Sequence, residues 1–521
     1  MNLTNVIKKQ YVTRTSVRTD TRSFLDRMGI PTKSDKKVRK YKNIARRVAI
    51  WVPVGAVSGT VLVFAGAVIA TMVRFKTNSI SNQVSYTLAQ RHELEESTFR
   101  PLNRVEYASQ GFEHKAVSKE YAHAVNDFAY RLTDAVDLKE NTIFSPLASY
   151  IGLDLLSHAG DAASSAIYET VLGEGELRDE NYDNMLRTNF FVEETGTTQI
   201  YNGTFFNADC SRFTPKQEYV DFLTSRKAEA YQASFKNDLG RVSAWANDLI
   251  DERMLNPDSF EVTDETALFQ LTLANFKAKW ATEFKKEHSS VRTFYGKNKT
   301  NSTNFMSHVY HGYVAYNSSE HPYQENLPVC KGAYEYEKYF SVYDHYRNGY
   351  SVQYLVPKSE DDFILNVLGD VNFLEENPEN YYFVAEMNND RQEVYTGYDP
   401  IIKIIVPTFK IQKTLDLVES YESIGLGRLF ERTTDNHVLS NAIDGEQIYG
   451  SYLESAKQIS SVEFDEQGTI ARTIQITGGA GAAMASEFSR DGLTVVLNQP
   501  FVYVIHDPNG LPLYIGSVMD L

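Results

Sequence analysis

The chain has 521 residues, 42% of them hydrophobic and 23% charged, enough for one large core with extensions. A net charge of -16 disfavours nucleic acid as a partner, and two cysteines, Cys210 and Cys330, are too few for a disulfide scaffold or a thiolate metal site. The charge is unevenly placed: residues 1–47 hold 14 Lys/Arg against 3 Asp/Glu, so the remaining 38 against 65 carry -27.

The chain therefore opens on a basic segment, 1–47, read as cytoplasmic. Val48 to Val73 follows as 26 residues without a charge, about 39 Å as a helix at ~1.5 Å per residue, and is predicted to cross a membrane. Arg46 and Arg47 directly before it, with few cations after it, place the N-terminus inside and the acidic remainder outside, as a single-pass signal-anchored cell-membrane protein. An Arg/Ser-rich, acid-poor start also suits an organellar transit peptide, ranked lower. Gly55 and Gly59 form a small-xxx-small pair through which two such helices could pack together. Residues 74–117 are mixed and polar and read as a juxtamembrane stalk; Glu96 stands where a HExxH zinc motif begun at His92 would need its second His.

From Ser118 to Leu138, Tyr121, Ala124, Val125, Phe128, Ala129 and Leu132 recur at helical spacing. Glu140 to Gly173 reads as a short strand, a Ser-Pro break, a buried helix and a second helix. His158 and Asp161 there build no triad, because the chain contains no GxSxG elbow. Strand 198–206, helix 215–230 and helix 241–254 come next, the last with Trp245, Ala246 and Ile250 as packing face; Asp251 and Glu252 are adjacent and read as solvated. Ala267 to Phe284 is a strand and turn ending near Trp280. Between Tyr310 and Tyr350 the many tyrosines suggest cross-strand pairs. His308 and His311 fall on opposite strand faces, so no metal is assigned. Segments 352–358 and 401–430 are the next strands, the second running into a helix that stops at Gly425.

Ser461 to Pro500 opens and closes as strand, with Val462 and Phe464 at one end and Leu493, Val495 and Val496 at the other. Between them, Thr469 to Thr477 is rich in β-branched residues. Gly478 to Ala485, GGAGAAMA, is narrow and flexible, as a protease cleft requires of a substrate.

These blocks, in this order, resemble the serpin family. The resemblance is carried by Glu466, Gly468 and Thr469 before the small-residue run and by Pro500–Val518. Asn141, Phe144, Ser145, Pro146, Gly160 and Gly173 add to it, as do Asn275, Phe276, Lys277, Trp280 and Phe284, and the Val-Pro-x-Phe-Lys-Ile segment from Val406.

The resemblance implies an α+β fold: a large, mostly antiparallel central sheet with surrounding helices over 118–521 and an exposed reactive-centre loop at about 466–492. It implies a protease inhibitor and no enzyme, with no cofactor, no metal and no nucleic acid. The partner would be an elastase- or subtilisin-like serine protease, with a cysteine protease as the alternative. The protease would cut Ala482-Ala483, counting from the hinge, or Ser489-Arg490, counting back from Pro500. The hinge would be Glu466, Gly468, Thr469, Ala471 and Thr473, and the sheet-opening region Asn141, Ser145, Trp280 and Gln458. Gln458, Ala148 and Thr272 stand where the family commonly has His, Ser and Asn. Before cleavage the strand from Thr469 is expected to wait outside a sheet with space for it, and after insertion Thr469, Ala471, Thr473 and Gln475 would share the buried face. The alternative is a non-inhibitory serpin acting as a surface binding or carrier module.

Overall fold

The computed structural model describes residues 98–107, 111–209, 213–263, 265–311, 313–316, 332–335, 339–357, 401–445, 450–475 and 493–521. The expected membrane span 48–73, the Gly55/Gly59 pair, both cysteines and both candidate reactive bonds lie outside these residues. Among the described residues no helix is long and apolar enough to cross a membrane.

The folded unit runs from Ser97 to Leu521. It begins with β1 (Arg100–Pro101) and then α1 (Lys119–Ala135), whose N-cap Ser118 accepts from the Tyr121 amide. Next come β2 (Thr142–Phe144) and α2 (Pro146–Ser157), where Ser145 caps and Pro146 opens the helix as the Ser-Pro break predicts. Then follow α3 (Ala162–Leu172), α4 (Gly175–Thr188), β3 (Phe191–Glu193), β4 (Gly196–Asn207), β5 (Thr214–Pro215), α5 (Gln217–Ser225), β6 (Glu229–Ala233) and α6 (Leu239–Ile250). The strands continue with β7 (Leu268–Lys279), β8 (Ser290–Tyr295), β9 (Thr300–His311), β10 (Tyr313–Tyr316), β11 (Gly332–Glu335), β12 (Tyr339–His345) and β13 (Ser351–Pro357). After them come β14 (Ile401–Pro407), β15 (Phe409–Asp416), the short α7 (Val418–Tyr421), β16 (Ile443–Asp444), β17 (Lys457–Asp465), β18 (Gly468–Gln475), β19 (Leu493–Val496), β20 (Phe501–His506) and β21 (Pro512–Val518).

Three sheets carry the fold. The main one has the order β1-β6-β4-β7-β18-β17-β15 with β3 on β4, the second β10-β11-β12-β13-β20-β21-β2, the third β19-β14-β9-β8; β5 and β16 pair separately. One continuous core runs from α1 and α2 to the second sheet, where every residue of β13 and β20 is buried. On the main sheet's other face α6 seats Ala246 and Ile250, and Trp245 lies against Gly203, where an added Cβ would sit 2.6 Å from the indole. Gly425 takes φ +113, a left-handed conformation that ends the α7 turn where the sequence places its stop.

Four expectations change. The stalk is shorter than predicted: from Thr98 on, the segment belongs to the folded unit, because Phe99, Tyr107 and Phe112 find aromatic partners on it. The helix predicted to run to residue 230 stops at Ser225, since Glu229–Ala233 pairs with β4. Tyr343 stands opposite Gln353 and Tyr346 bridges to Trp280, so these two and Tyr350 are buried in the core and not matched with other tyrosines across strands. The strand expected outside the sheet is inside it.

The inserted hinge and its anchors

β18 lies between β17 and β7 and is antiparallel to both, with Gly468 to Gln475 paired on one side and Gly468 to Ile474 on the other. Both of its edges thus join a hydrogen-bonded ladder, which an isolated strand lacks. Thr469 and Ala471 are fully buried and Ile470 is not, the alternation expected of an inserted strand. The bulk of Ile470 faces the side where it costs less.

β17 turns into β18 through Glu466 and Gln467. The Asp465 carboxylate accepts from the amides of Gln467 (2.7 Å) and Gly468 (3.1 Å), closing the turn. Gly468 packs so tightly on β7 that a Cβ there would stand 2.0 Å from the Ala278 carbonyl oxygen. Glu466 accepts from Ser289 Oγ (2.9 Å) and Asn304 Nδ2 (3.2 Å). Burial alone would raise its carboxyl, but its own backbone amide and these two donors hold it below the ordinary range.

At this upper end Trp280 is wholly buried and donates Nε1–H to the Asp465 carbonyl at 2.8 Å. Its indole stacks on Tyr346 with centroids 4.5 Å apart, and the Tyr346 and Thr469 hydroxyls are 2.6 Å apart. Lower down, Tyr514 donates to the Ala274 carbonyl at 2.8 Å with the Ala471 carbonyl at 3.3 Å, so one hydroxyl sits under both β7 and β18.

Gln458 marks the other end, opposite Gln475. It is fully buried: Nε2 donates to the Ser145 carbonyl (3.0 Å) and Ser149 Oγ (3.3 Å), and Oε1 accepts from the Ser145 amide (2.5 Å) and Ser460 Oγ (3.4 Å). Thr272 pairs instead with Asn202 (2.8 Å). The candidate opening residues therefore form two groups, Trp280 above and Ser145 with Gln458 below, separated by the length of β18. Asn141 joins neither. It holds the chain's end through Asp520 and Met519. Thr473 pairs with Ser460 and Ala274.

Sequence reasoning missed Tyr346, Ser149, Tyr514, Ser289 and Asn304. Each reaches the hinge only through long-range pairing, and none stands in a local pattern that marks it. His308, considered for metal, is instead buried against Asp344 at 2.9 Å. Among the described residues no cluster of His, Cys, Asp or Glu could hold a metal ion.

The family model described as Serpin (serine protease inhibitor) matches residues 123–521. The chain belongs to the serpin family. Among curated relatives, serine proteinase inhibitor 2 of Variola virus is 21% identical over 384 residues, covering 72% of this chain and 94% of that protein. Serpin-Z2B of Oryza sativa subsp. japonica is 22% identical over 410 residues, covering 75% and 94%. Among solved structures, the thermophilic serpin tengpin in its latent state superposes with a TM-score of 0.60 at 19% identity, covering 78% of this chain and all of that one. Cleaved Serpin 42Da gives 0.58 at 15% identity, covering 78% and 100%. At these identities the structural likeness speaks for the fold alone. Serpins are protease inhibitors, not catalytic enzymes.

Proposed function

We propose that this serpin inhibits a serine protease by suicide: the protease cuts the reactive-centre loop, and the freed strand completes its entry into the main sheet. The observation that carries this is the seating of β18 between β7 and β17 with Thr469 and Ala471 buried. The sequence from Thr469 to Ala471 thus suits the slot despite the bulk of Ile470. The protease nucleophile attacks the Ala482 carbonyl, the bond to the Ala483 nitrogen breaks, that nitrogen takes a proton, and the ester to Ala482 remains. Insertion then adds ladder hydrogen bonds and carries the acylated enzyme away before water can finish the reaction.

The pairing register supports Ala482-Ala483 over Ser489-Arg490. Ile474 faces Leu273, and continuing that register would bring residues 475–479 opposite Thr272 to Leu268, the end of β7. Space exists there: a cavity of about 720 Å³ is lined by Ser149, Gly152, Leu271, Thr272, Ala456 and Lys457. Ala482 lies three positions beyond Gly479 and Ser489 lies ten. The shorter tether keeps the ester taut, and the longer would leave slack. Ala482 within GGAGAAMA suits a protease with a small apolar primary pocket.

The same structure lends weight to the second reading, a non-inhibitory binding or carrier module. A hinge already seated in a continuous chain leaves less for cleavage to release. Mixing the full chain with elastase, subtilisin and trypsin separates the two. An inhibitor gives an adduct that survives boiling in detergent and a released peptide beginning at Ala483. A carrier gives cleavage alone, with no rise in melting temperature.

The membrane placement is part of this proposal. Its support is the uncharged run from Val48 to Val73 with the basic residues before it. Retention of the chain in membranes after alkaline extraction, with residues 98–521 open to external protease, is the expected result; full release would reject it.

A further inference from the structure

Making room for one strand between β7 and β17 displaces everything on one side of the slot by about 4.8 Å relative to the other. β15 and β17 pack on β2, which pairs with β21, so that side belongs with the second sheet. The other side, β7-β4-β6 with α6, has to slide. Residues 98–107 and 111–115 between them touch both.

Their first half grips the sliding side. β1 adds a strand to the outer edge of β6, with Arg100 opposite Gln232 and Pro101 opposite Tyr231. Phe99 stacks on Tyr231 at 4.9 Å under the Arg241 guanidinium. Asn103 accepts from the Ala230 amide and donates to the Ala228 carbonyl and Thr224. Tyr107 stacks on Phe190 at 5.1 Å and meets the edge of Tyr201 at 5.0 Å. Their second half reaches the stationary side through two residues: His114 bonds Asn509 in the turn between β20 and β21 at 2.9 Å, and Asn509 donates to the Lys115 carbonyl at 3.1 Å. Phe112 stays with the sliding side, its amide donating to Glu193 and its ring meeting Phe191 of β3 at 5.0 Å.

We propose that Thr98–Tyr107 and Gly111–Lys115 act together as a strap that holds the main sheet in its widened form, so that these residues ahead of α1 help to keep β18 seated. These contacts are formed with the strand inside the sheet. Closing the slot would move Tyr231 and Tyr201 relative to Asn509 and strain or break one end of the strap. The device is separate from the inhibitory reading, since it needs only that β18 occupies the slot.

Hydrogen exchange on the full chain tests it, comparing wild type with Phe99→Ala/Tyr107→Ala and with the milder Phe99→Leu. The control is Arg104→Ala, whose side chain is exposed. In both strap variants the amides of Gly468–Gln475 should lose at least tenfold of their protection while those of β12 and β13 keep theirs. Equal loss in both regions would show ordinary packing and overturn the proposal, as would unchanged protection of β18. The adduct experiment on wild type decides inhibition independently of either result.

Discussion

The hydroxyls of Tyr346 and Thr469 lie 2.6 Å apart with both side chains buried, joining the end of β12's sheet to the second residue of the inserted strand. Because Tyr346 also stacks on Trp280, which holds the Asp465 carbonyl, this contact sets the top of β18 against a rigid aromatic pair. Tyr346→Phe keeps the stack and leaves the Thr469 hydroxyl buried without its partner, which costs about 1–3 kcal/mol. The melting temperature of the protease-cut molecule should fall by a few degrees. An unchanged value would mean that Thr469 does not enter the sheet.

Gly468 admits no side chain, because a Cβ there meets the Ala278 carbonyl oxygen at 2.0 Å. Gly468→Val should unseat the top of β18 and keep the cut loop from completing its entry, so the protease finishes hydrolysis and the serpin becomes a substrate. Gel analysis after mixing with the target protease should show at least tenfold less adduct and correspondingly more cut chain. Adduct at the wild-type level would place the hinge elsewhere.

Gln458 satisfies the Ser145 amide and carbonyl and the hydroxyls of Ser149 and Ser460. Gln458→Leu preserves volume and leaves these groups buried without their partner, at a cost of roughly 2–4 kcal/mol for several lost hydrogen bonds. Denaturant unfolding should show the midpoint lowered with the slope unchanged.

His506 and Asp507 are adjacent and buried, and their titrations oppose each other. Burial pulls His506 from 6.5 down to about 4, the Gly510 carbonyl opposing. The fold therefore keeps it neutral, and stability present above pH 6.5 is lost as pH falls toward 4. Burial pushes Asp507 from 3.8 up to about 6, against Asn189 and the amides of Leu511 and Asn509. The fold thus favours its protonated form, and stability present below pH 3.8 is lost as pH rises through about 6. Each term is worth roughly 3 kcal/mol. Stability measured from pH 4 to 7 should fall more steeply with rising pH in His506→Gln, and should lose that component in Asp507→Asn. Parallel profiles in the two variants would contradict the assignment.

Periodicity and punctuation made much of the fold legible. The apolar spacing from Tyr121 to Leu132, the Ser145-Pro146 cap and the stop at Gly425 depend on residues within one or two turns of each other. The alternation of Thr469, Ile470 and Ala471 likewise showed which side chains an inserted strand would bury, since side-chain direction in a strand has a period of two.

Whether that strand stood inside or outside a sheet was open to no local pattern, because the same alternation suits both. Its place depends on β7 and β17 accepting it, on Gly468 passing Ala278, and on Tyr346 meeting Thr469 from 123 residues away. The sequence by itself determined most of the helices, the strand period and the family, set by short-range sterics and ordered motifs. Only the tertiary structure decided that β18 is seated, that Trp280 and Gln458 stand at opposite ends of it, and that β1 joins the sheet edge while His114 reaches Asn509 by the second sheet. Those are pairings between distant segments, fixed by which surfaces remain free once the core has closed.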